Sequence, residues 1–425
     1  MTPGARLAAA AEILDDIFAR RSAADRTIAN WGRSHRFAGA KDRAAIAARV
    51  YTVLRRRNEC AHAASGETPR ALVLGSMKVE GLDADEIDAL CTDGQHAIGA
   101  LTTAERRDLD GTKPPATESW IRLNYPEWLH EELLAAFGGG LEREIEALNG
   151  RAPLDLRVNT LKADREAVLR ELTEAGLTPE RLARVSAGLR LPAASAANVT
   201  RLAAYKQGRV EVQDEGSQLA VLLAGARPMQ TVIDLAAGGG GKSLALAAAM
   251  ENRGRILACD VEPLRLRQME PRIARAGAKI VEIVGDPYGG AIAAVKNPDL
   301  VFIDAPCSGT GTWRRNPEAK WTLDESRLAN YRAAQARLLD RAVELAGAAT
   351  RIVYAVCSVL PSECAGQIES FCRGHPAWTI KPASEIWRSV AAHTPPAGVD
   401  QFANLTPARA GTDGFFVAVL DRRAS

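Results

Sequence analysis

No apolar run in the chain approaches the ~20 residues that a membrane-spanning helix needs, so no membrane partner is expected. No C-x-x-C pair occurs. Seven cysteines stand scattered at 60, 91, 259, 307, 357, 364 and 372 in a chain of 425 residues, too long to depend on a disulfide scaffold. Free thiols in a reducing, cytoplasmic compartment are the expectation. No Cys/His cluster has ligand spacing, so no metal is expected. Internal repeats and low-complexity tracts are missing too. The N-terminus lacks a signal-peptide core, because Glu12, Asp15 and Asp16 break its apolar stretch. It reads instead as an amphipathic helix with Pro3 near its start.

What is present suits two or three domains: 47% hydrophobic and 25% charged residues. The net charge of +2 conceals a segregation. Residues 1–60 hold twelve basic against six acidic side chains, residues 61–150 seven against seventeen, and the rest carries a net of +6. Basic patches at both ends are compatible with a polyanion partner.

Residues 1–115 read as an all-α bundle. Leu7, Ile13, Leu14 and Ile17 fall on one helical face, and a second helix carries Ala45, Ile46, Val50, Val53 and Leu54 before Arg55-Arg56-Arg57. Thr112 to Thr117, with Pro114-Pro115, reads as a linker. Residues 116–208 form a small α+β module with an alternating strand at Leu154–Thr160 and a helix at Arg165–Ala175 closed by Gly176. From 209 to 425, strands and helices alternate. Strands are expected at 231–233, 255–259, 279–284, 300–303, 352–356 and 415–420, with helices at 243–251, 264–276, 331–348 and 363–373. That order predicts an α/β fold with a mainly parallel sheet.

Chemistry gathers at the strand ends. The 231–233 strand runs into Asp234-Leu235-Ala236-Ala237-Gly238-Gly239-Gly240-Gly241-Lys242-Ser243. Glycines there let a ligand approach backbone, and the following helix offers unpaired N–H groups. It is no phosphate-binding P-loop, because Ala236 stands where the first glycine of G-x-x-x-x-G-K-[ST] belongs. Asp260, about 20 residues on, is suited to ribose hydroxyls. With Asp234, Asp286 and Asp304 it makes a series of four strand-end acids expected to line one crevice. Residues 299–321 read D-L-V-F-I-D-A-P-C-S-G-T-G-T-W-R-R-N-P-E-A-K-W, so Cys307 sits just past a strand end. R-I-V-Y-A-V-C-S-V-L-P repeats the arrangement with Cys357. Arg314, Arg315 and Lys320 are candidates for the charges of a polyanion, and Trp313 and Trp321 for stacking or for packing. Cys259, Cys364 and Cys372 read as small buried hydrophobes.

D-A-P-C-S-G-T-G-T-x-R-R-N-P-x-x-K-W together with x-C-S-V-L-P resembles the Sun family of S-adenosylmethionine-dependent RNA cytosine-C5 methyltransferases, in particular its bacterial 16S ribosomal RNA enzymes. Ala40 to Arg56 is similar to the signature helix of their N-terminal domain, which is like the antitermination factor NusB. Tyr125-Pro126-x-Trp128-Leu129, Leu156 to Thr160, Val212 to Ser217 and Gly411 to Phe416 extend the resemblance over nearly the whole chain. It implies a Rossmann-like class I methyltransferase core behind a NusB-like RNA-binding bundle. S-adenosyl-L-methionine would be the cofactor and ribosomal RNA the partner of a monomeric, cytoplasmic enzyme. It implies Cys357 as nucleophile, Cys307 as release residue, and Asp304 and Lys242 as their catalytic neighbours; the spacing alone leaves the order of the thiols open. Ala236, Ala237, Gly238, Gly239, Gly240, Gly241, Lys242, Asp260, Asp286 and Asp304 would bind the cofactor.

Two departures stand out. The family loop normally reads D-x-C-A-A-P-G-G-K-T, whereas this chain has Ala236, Gly238 and Gly239 in place of Cys, Ala and Pro. Glycine for proline costs more entropy to order but removes no hydrogen-bonding group. After Cys357, Ser362-Glu363-Cys364-Ala365 replaces an acidic/Asn run. An exocyclic-amine methyltransferase would show Asn/Asp-Pro-Pro-aromatic where Ala305-Pro306-Cys307 stands, and a DNA cytosine-C5 enzyme would need no second thiol. A non-catalytic RNA-binding assembly factor, or the same chemistry on transfer RNA, are the alternatives.

Overall fold

Thr2 starts the first helix by accepting a hydrogen bond from the Ala5 N–H, with Pro3 in the first turn where its missing N–H costs nothing. The helix, Pro3–Arg20, buries Leu7, Ala10, Ile13, Leu14 and Ile17 as one stripe. The helix Ala40–Arg55 sets Ile46, Val50, Val53 and Leu54 against it, and Asp42 ties its N-terminus by accepting from Gly39 N at 3.2 Å. A computed structural model describes the chain except residues 93, 112, 194–198, 392, 424 and 425, so Thr112 of the expected linker lies outside the described residues. Up to residue 149 every described element is a helix.

Packing groups the chain into two compact units: Met1–Asn149 with Trp313–Asp324, and Gly150–Thr312 with Glu325–Ser425. In this grouping residues 116–149 go with the helices, and the small sheet goes with the large one. The helical unit takes in a segment far along the chain. Within that segment Trp313 is fully buried and Trp321 donates from Nε1 to the Leu54 carbonyl at 2.6 Å. Lys320 is fully buried as well. Its ammonium donates to the carbonyls of Asn124 (2.8 Å) and Arg55 (3.3 Å) and to Oδ1 of Asn149 (2.7 Å).

The second unit begins with a four-stranded antiparallel sheet of β1 (Leu154–Val158), β2 (Glu180–Arg181), β3 (Gly188–Leu191) and β4 (Val210–Val212), in the order β2-β3-β1-β4. The helix Arg165–Glu174 lies between β1 and β2 in sequence. It is capped by Asp164, which accepts from Ala167 N at 2.8 Å.

The large sheet contains β5 (Thr231–Asp234), β6 (Arg255–Cys259), β7 (Val281–Gly285), β8 (Leu300–Asp304), β9 (Arg351–Val356), β10 (Trp378–Lys381), β11 (Ala403–Leu405) and β12 (Phe415–Arg422). Its order is β10-β12-β9-β8-β5-β6-β7, with β11 also paired to β12. Strands β5 to β9 are parallel; β10, β11 and β12 join antiparallel. Phe302 and Val353 bury on one face, Val301, Ile303 and Tyr354 on the other. Burial on both faces is why these strands read as unbroken apolar runs rather than alternating ones. The chain runs outward from β5 through β6 to β7, then returns to β8 on the other side of β5. That reversal opens a crevice beyond the carboxyl ends of β5 and β8.

The expected strands and helices of this unit recur with ends shifted by a few residues. The largest shift is the helix expected over 331–348, which spans Glu325–Leu345, because its polar first turn has little apolar period. The helix Glu215–Ala224 was not expected: it is buried on nearly every side and shows no amphipathic period. Among the described residues no helix is long and apolar enough to cross a membrane.

Candidate functional site

The glycine turn after β5 has a conformational reason. Gly238 (φ 54°) and Gly240 (φ 83°) lie in the left-handed region that side chains disfavour. At Gly240 a Cβ would also come 2.6 Å from Met269 Cγ. The helix Gly241–Ala249 starts there. Asp260, past the end of β6, closes the turn: Oδ2 accepts from Gly238 N and Oδ1 from Glu262 N, both at 2.8 Å. The resulting crevice holds about 650 Å³. Its wall contains Ala236, Ala237, Gly238, Gly239, Gly241, Lys242, Asp260, Asp304, Cys307 and Cys357.

Three residues expected at the crevice stand apart from it. Gly240 is buried behind the turn, and Asp286 is exposed, with Oδ1 accepting from Tyr288 N at 2.9 Å. Tyr288 itself reaches the crevice wall instead. Asp234, expected to complete the row of acids, is fully buried beneath and accepts from Ser243 Oγ at 2.6 Å. Burial pushes its carboxyl up to about 7. The shared strand edge was read correctly; which way each side chain leaves that edge is decided by the turn that follows it.

Register brings the two thiols together. β8 and β9 are neighbours with Asp304 opposite Ala355, so the residues just beyond their ends share one spot. Cys307 Sγ and Cys357 Sγ are 3.4 Å apart, both half-buried. The loops are tied at several points: Ala305 N donates to the Ala355 carbonyl at 2.9 Å, Gly311 N to the Cys357 carbonyl at 3.1 Å, and Gln335 Nε2 to the Pro306 carbonyl at 2.9 Å. The thiol of Cys307 is held well above its usual pKa. The hydrogen bond shared with Cys357 is the first cause, then burial, then the charges of Cys357 and Glu363. Beside the thiols, Lys242 Nζ donates to Asp304 Oδ2 at 2.6 Å and lies 5.1 Å from the centre of the Phe415 ring.

Glu363 was not foreseen. It is fully buried and joins both cysteine loops. One oxygen accepts from Ser308 N and Gln335 Nε2, each at 2.9 Å. The other accepts from Ser358 Oγ at 2.6 Å and from Ser308 Oγ. Its only sequence signal was an acid six residues after Cys357, inside the stretch that departs from the family.

The remaining cysteines behave as small hydrophobes. Cys259 and Cys364 are buried and Cys372 half-buried. Burial raises Cys259 and Cys372. Three of the candidates for RNA contact are corrected: Trp313 and Lys320 are fully buried and Arg314 is 5% exposed, whereas Arg315 is half-buried. Lys320 reaches carbonyl oxygens, not solvent, and burial pulls its pKa well down. Trp321 is half-buried and engaged with Leu54. This basic, aromatic motif is an anchor within the helical unit.

A mainly parallel sheet opened at its switch point, with a glycine turn, acids at successive strand ends and two thiols meeting beside them, is the arrangement of a Rossmann-like methyltransferase. Residues 220–421 match the family described as 16S rRNA methyltransferase RsmB/F, and residues 125–198 match the ferredoxin-like domain of RsmF/B-like methyltransferases. The chain is 31% identical over 307 residues to the probable ribosomal RNA small subunit methyltransferase B of Synechocystis sp., covering 71% of this chain and 67% of that protein. It is 31% identical over 362 residues to the ribosomal RNA small subunit methyltransferase B of Erwinia tasmaniensis, covering 85% and 77%. The crystal structure of PH0851 matches 99% of each chain with a TM-score of 0.77 at 25% identity. That of NSun6 from Pyrococcus horikoshii with SFG shares the fold at a TM-score of 0.61 and 20% identity, over 71% of this chain and 99% of that one. The chain belongs to the RsmB/F family of 16S rRNA methyltransferases.

Proposed function

We propose that this protein transfers a methyl group from S-adenosylmethionine to C5 of a cytosine in 16S rRNA, with Cys357 as nucleophile and Cys307 as the residue that completes the reaction. The observation that carries this reading is the 3.4 Å approach of two thiols at neighbouring strand ends, one of them held protonated. When bound, S-adenosylmethionine supplies an electrophilic methyl group. The crevice suits it: the glycine turn lets a ligand lie against backbone, and the Asp260 carboxylate is suited to a ribose diol.

Cytosine C5 is a poor nucleophile until C6 is saturated. In this reading the Cys357 thiolate forms a bond to C6, and the C5–C6 π pair moves onto C5 and toward N3. Asp304, entering this step as the acid with Lys242 on its other oxygen, donates a hydrogen bond to N3 where that charge collects. After C5 has gained the methyl, Cys307 takes the C5 proton. The pair left behind restores the double bond, and the S–C6 pair returns to Cys357. The same contacts explain the timing. The hydrogen bond and charge of Cys357 hold the Cys307 thiol well up; once Cys357 is bonded to C6 both are removed, and Cys307 is freer to act as base. The target base must leave its stack to reach the thiols.

The same reading takes residues 1–115 as the RNA-binding part, 116–208 as a separate small module and 209–425 as the methyltransferase domain. The enzyme would act as a monomer in the cytoplasm without a metal. The test is a pair of variants on 16S rRNA. Cys357→Ala should abolish methyl transfer, and Cys307→Ala should accumulate a protein–RNA adduct that survives denaturant. An adduct with Cys357→Ala alone would exchange the two roles. Full turnover by both variants would end the covalent proposal.

A further inference from the structure

Gly239 occupies the position where the family loop carries proline. Its backbone does not require glycine, since it is not among the residues in the left-handed region. What the missing side chain admits is a guanidinium. Arg272, on the helix Pro263–Ala276, donates from Nη1 to the Gly239 carbonyl at 2.5 Å and from Nη2 to Glu211 Oε2 at 2.9 Å. A Cβ on residue 239 would lie 3.1 Å from that same Nη1. Glu211, 3% exposed on β4, is also bound by Arg275. Arg272 therefore links the cofactor turn to an anchored carboxylate.

We propose that Arg272 is a positioning residue for S-adenosylmethionine: it holds the glycine turn in its binding shape and replaces the stiffness that proline supplies elsewhere in the family. The inference rests on the cofactor reading above. Glycine at 239 widens the range of the free turn, so binding would bear an ordering cost. A charge-assisted hydrogen bond to the turn's own carbonyl outweighs that cost in advance. Proline at 239 crowds the guanidinium, since its Cβ would lie 3.1 Å from Nη1 and the Arg272 contact to the turn would have to shift.

The experiment is calorimetry of S-adenosylmethionine binding to wild type, Arg272→Ala, Gly239→Pro and the double variant, with kcat measured at saturating cofactor and RNA. Arg275 still neutralises Glu211 in Arg272→Ala, so that variant strands no buried carboxylate. Arg272→Ala should raise Kd about tenfold, the worth of one charged hydrogen bond, with kcat little changed. Gly239→Pro alone should weaken binding through its collision with Arg272. The double variant should bind more tightly than Arg272→Ala alone, because the ring restores the stiffness. A Kd for Arg272→Ala within about twofold of wild type, or strictly additive effects in the double variant, would overturn the clamp. A wild type that binds no cofactor would overturn the reading beneath it.

Discussion

Replacing Glu363 by glutamine changes charge at the meeting point of the two cysteine loops while keeping shape. The carboxylate accepts four hydrogen bonds: from Ser308 N, Ser308 Oγ, Gln335 Nε2 and Ser358 Oγ. In Glu363→Gln the amide oxygen can still accept from Ser308 N and Gln335. The new NH₂ can donate to the two hydroxyls, which rotate to accept. All four contacts survive as neutral bonds. A charged bond is worth about 1 kcal/mol more than a neutral one, but the relief of burying no charge offsets much of that difference. We expect a net loss of about 1–2 kcal/mol, which at roughly 2–4 °C per kcal/mol lowers the melting temperature by a few degrees. Glu363→Ala removes the acceptor of the Ser308 N–H and of one Gln335 N–H, leaves the two hydroxyls only their mutual contacts and Thr310, and should cost about 4 kcal/mol or more. The second readout is chemical. The Glu363 charge helps hold the Cys307 thiol above its usual pKa, so the glutamine variant should ionise Cys307 at lower pH. The pH dependence of product release in single turnover should shift toward acid, with kcat retained. Two results would refute the reasoning: a release profile superimposable on wild type, or a glutamine variant as unstable as the alanine one.

Further outcomes concern the buried charges. Lys320→Met keeps volume but leaves three oxygens without their donor. It should destabilise the helical unit by about 3 kcal/mol, as read by denaturant melts of the whole chain. Asp234 holds a proton up to about pH 7 in the folded chain but releases it near 3.8 when unfolded. The unfolded state thus binds fewer protons in that window, and stability contributed by Asp234 is present below pH 4 and lost as pH rises through 7, by up to ~4 kcal/mol. Asp234→Asn should flatten that decline; a wild-type melting temperature that rises steadily from pH 5 to 8, with no difference from the variant, would contradict it.

The parallel core was legible because burial on both faces turns β5, β8 and β9 into apolar runs that end in acids and turns. The shared site was legible for the same reason: two cysteines just past two such runs meet only if the runs are neighbours, and β8 and β9 are. The helix Glu215–Ala224 was hidden because it is buried all round, which erases the 3.6-residue signal. β10 and β11, four and three residues long, carry too little pattern to register, and both pair with β12. Lys320 misled for a different reason. A lysine beside two tryptophans suggests a nucleic-acid surface, and composition does not reveal whether its ammonium meets water or three carbonyl-type oxygens. Glu363 was silent because its partners, Ser308 and Gln335, lie 55 and 28 residues away.

The segment Trp313–Asp324 gives the protein an order of completion opposite to its order of birth. Most of the helical unit leaves the ribosome before the second unit, yet its innermost lysine and one of its buried tryptophans are encoded after most of that second unit. At about 5–20 residues per second, the stretch from residue 149 to 324 takes roughly 10–35 s to make. For that time the carbonyls of Arg55 and Asn124 and the side chain of Asn149 have no ammonium to meet. The nascent bundle is therefore an unfinished core that can close only when β8 has been synthesised and the loop carrying Cys307 has emerged.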